Sequence, residues 1–213
     1  MSGGHPMTEQ EKRIIEMNQA MQVASLKEKY EKELDQEEIN EKVKSGEVVF
    51  FDTALLMKQM PFGDAYEMMI PDGFRKLRLE FIKRKYPHEN RPQLVYTDGT
   101  TKINIAFSET EHEVSPSTLK TFVYNILNTV RQAQPNATML TDEMKEINQI
   151  KLGYFDFLTP SLEDEVYNLM VIFLHKERAN FLTINCPADL KHVWQPLSYG
   201  MINTLQFTQG GKK

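Results

Sequence analysis

The apolar positions change their period twice along this 213-residue chain. Residues 8–45 contain no Pro or Gly and are rich in Glu, Lys and Gln, a helix-forming composition. Their apolar side chains do not make one stripe. Ile14, Met17, Met21 and Ala24 share a helical face, Val23, Leu26, Tyr30 and Leu34 lie nearly opposite, and Ile39 and Val43 return to the first. A straight helix on one core does not switch faces in this way. The pattern predicts a broken, partly solvated helical arm over 1–46, or a helix that bridges two partners or two copies. Lys42, Lys44 and Gly46 suit its C-terminal end.

Residues 47–63 form an apolar transition segment with Val48, Val49, Phe50, Phe51, Leu55, Leu56, Met57, Met60 and Phe62. It is too apolar for a free linker and is expected to pack on the domain or to meet a partner. A compact domain is expected over 64–207, followed by a tail, 208–213.

Within that domain Glu67–Ile70 reads as a strand stopped by Pro71-Asp72-Gly73. Arg78–Lys85 reads as a short helix and Leu94–Thr97 as a strand. Asp98-Gly99 signals a hairpin turn, and Ile103, Ile105 and Phe107 alternate on the return strand. Ser115-Pro116 predicts the start of a helix whose apolar arc runs from Leu119 to Val130. Strand-like runs follow at 137–147, 150–158, 165–175 and 178–186. The last helix carries Leu190, Val193, Trp194, Leu197 and Met201, with Pro196 expected to kink it or to open a second helix. Val166–Leu174 and Phe181–Ile184 are apolar on both faces, so both faces are covered. Short connections favour antiparallel pairing. The expected fold class is therefore α/β (α+β), an antiparallel sheet flanked by helices on both faces.

That element order, with Gly153-Tyr154-Phe155-Asp156-Phe157, Tyr167-Asn168-Leu169-Met170, Phe181–Cys186, Pro187 and Trp194, resembles the PsbP-like superfamily of α-β-α sandwiches. That group also includes the Ran-binding nuclear import factor of fungi and the bacterial DcrB-like proteins, among them chaperones that hold apolar helices of secretion effectors. The resemblance covers about residues 64–207 and implies a non-catalytic protein. The arm is outside the shared fold, and no partner-binding residue of the relatives maps onto this chain.

The formal charge is −5, which gives no general attraction to phosphate backbones and argues against a nucleic-acid partner. One cysteine, Cys186, excludes an internal disulfide. No signal-peptide pattern or membrane-length apolar run is present, so a cytoplasmic protein with no membrane partner is expected. Cys186 and His192 suggest a thiol–imidazole pair, but Cys186 alternates with Leu182 and Ile184 and should point into the core. His88-Glu89 reads as a solvated loop rather than a metal site, and Glu163, Asp164 and Glu165 as a solvated turn. No catalytic, metal or cofactor residue is assigned.

The basic stretch Arg75, Lys76, Arg78, Lys83, Arg84, Lys85 and Arg91, with Tyr86, is different. It suggests a site for an anionic partner. Candidate partner-binding residues are Lys83, Arg84, Lys85, Tyr86 and Arg91, together with Phe50, Phe51, Leu55, Leu56, Met60 and Phe62. The leading expectation is a non-enzymatic adaptor or chaperone for another protein, possessing a secretion-related role. The alternative is a structural or regulatory subunit that forms a homodimer through its N-terminal arm.

Overall fold

The computed structural model describes residues 7–25, 35–50, 53–161 and 164–208, with the side chains of 22–25 excepted. Two helices come first, α1 (Glu9–Ser25) and α2 (Gln36–Ser45). Strands β1 (Glu47–Phe50), β2 (Thr53–Phe62), β3 (Tyr66–Pro71) and β4 (Arg75–Lys76) follow, then α3 (Leu79–Lys85). Next come β5 (Leu94–Thr97), β6 (Asn104–Glu113) and α4 (Leu119–Ala133). A meander, β7 (Thr138–Ile147), β8 (Ile150–Pro160), β9 (Glu165–His175) and β10 (Arg178–Pro187), leads through one 3-10 turn to α5 (Lys191–Ile202) and β11 (Gln206–Phe207).

The larger sheet has seven strands in the order β4-β5-β6-β10-β9-β8-β7, every pair antiparallel. Strict alternation sends Leu169, Val171 and Phe173 to one face and Met170, Ile172 and Leu174 to the other. Helix α4 covers the second face through Leu119, Val123 and Leu127, and Ile82 of α3 covers Val95 and Ala106 beside it. Helix α5 and a separate sheet, β1-β2-β3-β11, cover the first face. This is the expected antiparallel sheet with helices on both faces, plus a second sheet that the apolar pattern did not announce. At Gly153 a Cβ would stand 2.6 Å from Met144 Sδ and 2.7 Å from a Val123 methyl, so glycine lets α4 lie close on β8.

The arm needs correcting. Ile14, Met17, Met21, Ile39 and Val43 are at most 4% exposed and belong to the main core. Helix α2 packs along α5, where Val43 and Ile39 lie against Gly200. The face switch marks two helices on one core, not a solvated arm. Asp35 caps α2 by accepting from the Glu37 and Glu38 amides, and Gly46 (φ 99°) closes it. These five apolar side chains are therefore buried within the chain itself. Val23, Ala24, Leu26, Tyr30 and Leu34 lie outside what the structure describes of side chains.

Three local expectations also change. Residues 98–103 connect β5 and β6, so Asp98-Gly99 is not a two-residue hairpin; the Asp98 carboxylate accepts from the Thr100 and Ile103 amides, and Thr101 takes the left-handed conformation (φ 61°). Ser115–Thr118 forms a separate turn, and α4 begins only at Leu119. Pro196 does not open a second helix, because α5 continues through it as one element.

Candidate functional site

The basic stretch divides into two structural classes. Lys85 and Arg91 serve the fold. Lys85 Nζ donates to Thr101 O (2.8 Å) and Asn104 Oδ1 (2.9 Å), and burial pulls its pKa down while Asp98 opposes this. Arg91 Nε donates to the carbonyls of Tyr86 and His88, and Nη2 to that of Pro87, which pins the loop after α3. Tyr86 is half-buried, and burial raises its hydroxyl pKa. Beneath Lys85, Asn104 donates to Asn185 Oδ1, and Thr97 Oγ1 donates to Asn104 Oδ1 (both 3.0 Å).

Lys83 and Arg84 form the other class. Both project from α3 into solvent with no ion pair or hydrogen bond among the described residues. Two apolar side chains accompany them, Leu79 at 58% and Phe81 at 48% exposure. Only Ile82 of this helix is buried. At seven residues and about 100° per residue, α3 cannot turn Leu79, Phe81 and Ile82 inward together. Leu79 and Phe81 escaped the reading of the charges, yet a helical projection of 79–85 around Ile82 finds them.

The apolar candidates are mostly core. Phe50, Leu55 and Phe62 are at most 3% exposed, because the alternation of β1 and β2 points them inward. No partner reaches them, so as docking residues they are corrected. Leu56, at 38% exposure, and Val49, at 50%, are their outward neighbours, and Met60 is partly buried against the core. Phe51 lies outside the described residues.

A second polar centre was not singled out from the sequence. Asp156, on β8, is fully buried among apolar residues. Its Oδ2 accepts from Tyr167 (3.0 Å), Tyr199 (2.7 Å) and Gln195 Nε2 (2.6 Å), and its Oδ1 from the Thr141 amide (2.8 Å). Tyr154, whose ring lies 5.4 Å from that of Tyr199, donates to Glu143 on β7. Burial, reinforced by Asp156, pushes the pKa values of Tyr167 and Tyr199 up. The centre joins β7, β8, β9 and α5, and its donors are spent within the protein. The signal was available: Asp156 shares the inward parity of Leu152 and Tyr154.

Cys186 is 1% exposed and burial pushes its thiol pKa up, while His192 Nδ1 lies 3.1 Å from Asp189 O on the adjoining turn. His88 and Glu89 are exposed on the pinned loop, and so are Asp164 and Glu165; Glu163 is outside the described residues. Among the described residues, no three His, Cys, Asp or Glu side chains converge as metal ligands, and no helix is long and apolar enough to cross a membrane.

No protein-family model matches the chain, and no curated protein matches it. Solved structures do. The solution structure of CyanoP, the PsbP protein of the cyanobacterium Synechocystis, superposes with a TM-score of 0.53 over 71% of this chain and 92% of that one, at 12% identity. The fold is PsbP-like. LpqN of Mycobacterium tuberculosis, involved in cell envelope biogenesis, matches over 72% of this chain and 91% of its own at 12% identity and a TM-score of 0.44. PA94 of Pseudomonas aeruginosa, of unknown function, matches over 70% and 94% at 14% identity and 0.40. At these identities the PsbP-like likeness is one of fold.

Proposed function

We propose that this PsbP-like protein is a non-enzymatic protein-binding module, an adaptor or chaperone, and that α3 is its docking ridge. One observation carries the reading. Leu79 and Phe81 stand about half exposed beside Lys83 and Arg84, whose charges meet no counter-charge among the described residues. Two bulky apolar side chains in water beside cations offer both parts of a docking surface, and apolar and aromatic anchors dominate protein interfaces. The ridge is rigid, because Ile82, Lys85 and Arg91 fix its base and the loop beyond it. A fixed ridge binds without first losing the entropy of ordering itself.

Site-specific photo-crosslinking in native cells tests this. A photoreactive residue at Phe81 should trap a discrete protein, whereas one at the exposed Gln59 on β2 should not. Equal trapping at both positions, or none at Phe81, would remove α3 as the docking ridge.

A further inference from the structure

Charge is distributed unevenly enough to say what kind of segment the ridge takes. Residues 75–91 hold seven of the chain's 25 Lys and Arg but two of its 30 Asp and Glu, a net +5 that leaves −10 on the remainder. Part of this charge is already used: Arg75 pairs with the buried Glu11 of α1, and Lys85 and Arg91 hold the fold. Among the described residues, Lys76, Lys83 and Arg84 are left exposed without ion pairs, and Arg78 has only Glu80, 4.0 Å away. The ridge is thus an isolated cationic strip on an anionic protein.

We propose that the ridge binds an acidic protein segment that also carries bulky apolar side chains, its carboxylates meeting Lys83 and Arg84 and its apolar groups covering Leu79 and Phe81. This rests on the docking reading above and specifies its partner. The geometry favours a segment over an extended anionic surface. Glu80, 68% exposed at its side chain, falls between Leu79 and Phe81 in helical projection. A bilayer pressed onto both apolar groups would bury that carboxylate against anionic headgroups, an expensive arrangement. A peptide has only to leave Glu80 in water or offer it a donor. An extended polyanion also carries its charge within a Debye length, about 8–10 Å, of the acidic remainder and is repelled by it, while a short segment engages the strip alone.

Fluorescence anisotropy on the full chain tests the proposal with a labelled peptide of mixed Glu and Leu. The controls are an all-Glu peptide, a Lys–Leu peptide, vesicles of neutral lipid with and without an anionic lipid, and a single-stranded oligodeoxynucleotide. The Glu–Leu peptide should bind best, and more weakly as salt rises from about 0.05 to 0.3 M. The double variant Lys83→Glu, Arg84→Glu should weaken it by about tenfold or more. The pair Leu79→Ser, Phe81→Ser should lower the Glu–Leu affinity to that of the all-Glu peptide. Unchanged thermal melting in each variant shows that the fold is intact. Failure of the Glu–Leu peptide to bind, or equal binding by the charge-reversed variant, overturns the proposal. So does preferential binding of anionic vesicles or of the oligonucleotide. Should crosslinking at Phe81 still trap a protein while the peptide fails, the docking reading stands and only the acidic chemistry of the partner falls.

Discussion

The Tyr199 hydroxyl lies 2.7 Å from the Asp156 carboxylate, and this contact fastens the last helix to β8, one strand in from the edge of the larger sheet. Asp156 also accepts from Tyr167, Gln195 and the Thr141 amide. Replacing Asp156 with Ala orphans the fully buried Tyr167 hydroxyl and removes the acceptor of the partly buried Tyr199 and Gln195, at about 1–3 kcal/mol for each group left unpaired, not additively. We expect Asp156→Ala to lose about 3 kcal/mol or more and Tyr199→Phe about 1 kcal/mol in urea unfolding. Wild-type stability in Asp156→Ala would show that the centre does not hold these elements together.

The same tyrosines set an alkaline limit. Tyr154, Tyr167 and Tyr199 are all raised above the ordinary value of 10.0, first by burial and then by the neighbouring carboxylates. A folded-state pKa above the unfolded one means that the folded state holds the proton more tightly. The stabilisation is complete below pH 10.0 and is lost progressively above it. Urea midpoints measured across this range should fall, and Tyr199→Phe should make the fall shallower. A midpoint that does not change above pH 10 would contradict the assignment.

How far the fold could be read before the structure was known depended on whether one element's own residues set its surroundings. The four-strand meander was legible because Val166–Leu174 is apolar at both parities, which requires cover on both faces. Helix α1 was not. Its stripe of Ile14, Met17 and Met21 is short, and nothing local says that Phe74 and Trp194 belong to the same core. At the candidate site the charges were legible as a run, but their division was not. Lys85 is set apart from Lys83 only by Thr101 and Asn104, which a loop brings back to it.

That division predicts opposite behaviour from neighbouring lysines. Lys85→Glu should cost about 1 kcal/mol or more, because it removes two hydrogen bonds and places a carboxylate against two acceptors at the base of the helix. Lys83→Glu should stay within about 0.5 kcal/mol of wild type. Thermal or urea melts of the two single variants decide it; equal losses would mean that Lys85 is not structural.

Removing residues 1–45 should abolish cooperative unfolding. Ile14, Met17, Met21, Ile39 and Val43 all leave the core together, and each buried apolar side chain of this size is worth about 1.5–3 kcal/mol. The total, about 7.5–15 kcal/mol, is as large as the whole stability of an ordinary domain. Circular dichroism of the truncated chain provides the check. A sharp, cooperative melt would mean that the two helices lie on the core without completing it.

The larger sheet ends differently on its two sides. Strand β4 offers a newcomer only Arg75 and Lys76, whereas β7 offers ten residues, nearly all exposed, and an irregular register between Met139 and Asp142. Along β7 stand Asp142, Glu143, Lys145 and Glu146. Brevity guards one margin and charge the other, two ways by which a sheet avoids templating its own growth into aggregates. The second safeguard depends on conditions. Salt that screens these charges weakens it, so the β7 margin is where high ionic strength should first make the protein prone to assembling with itself.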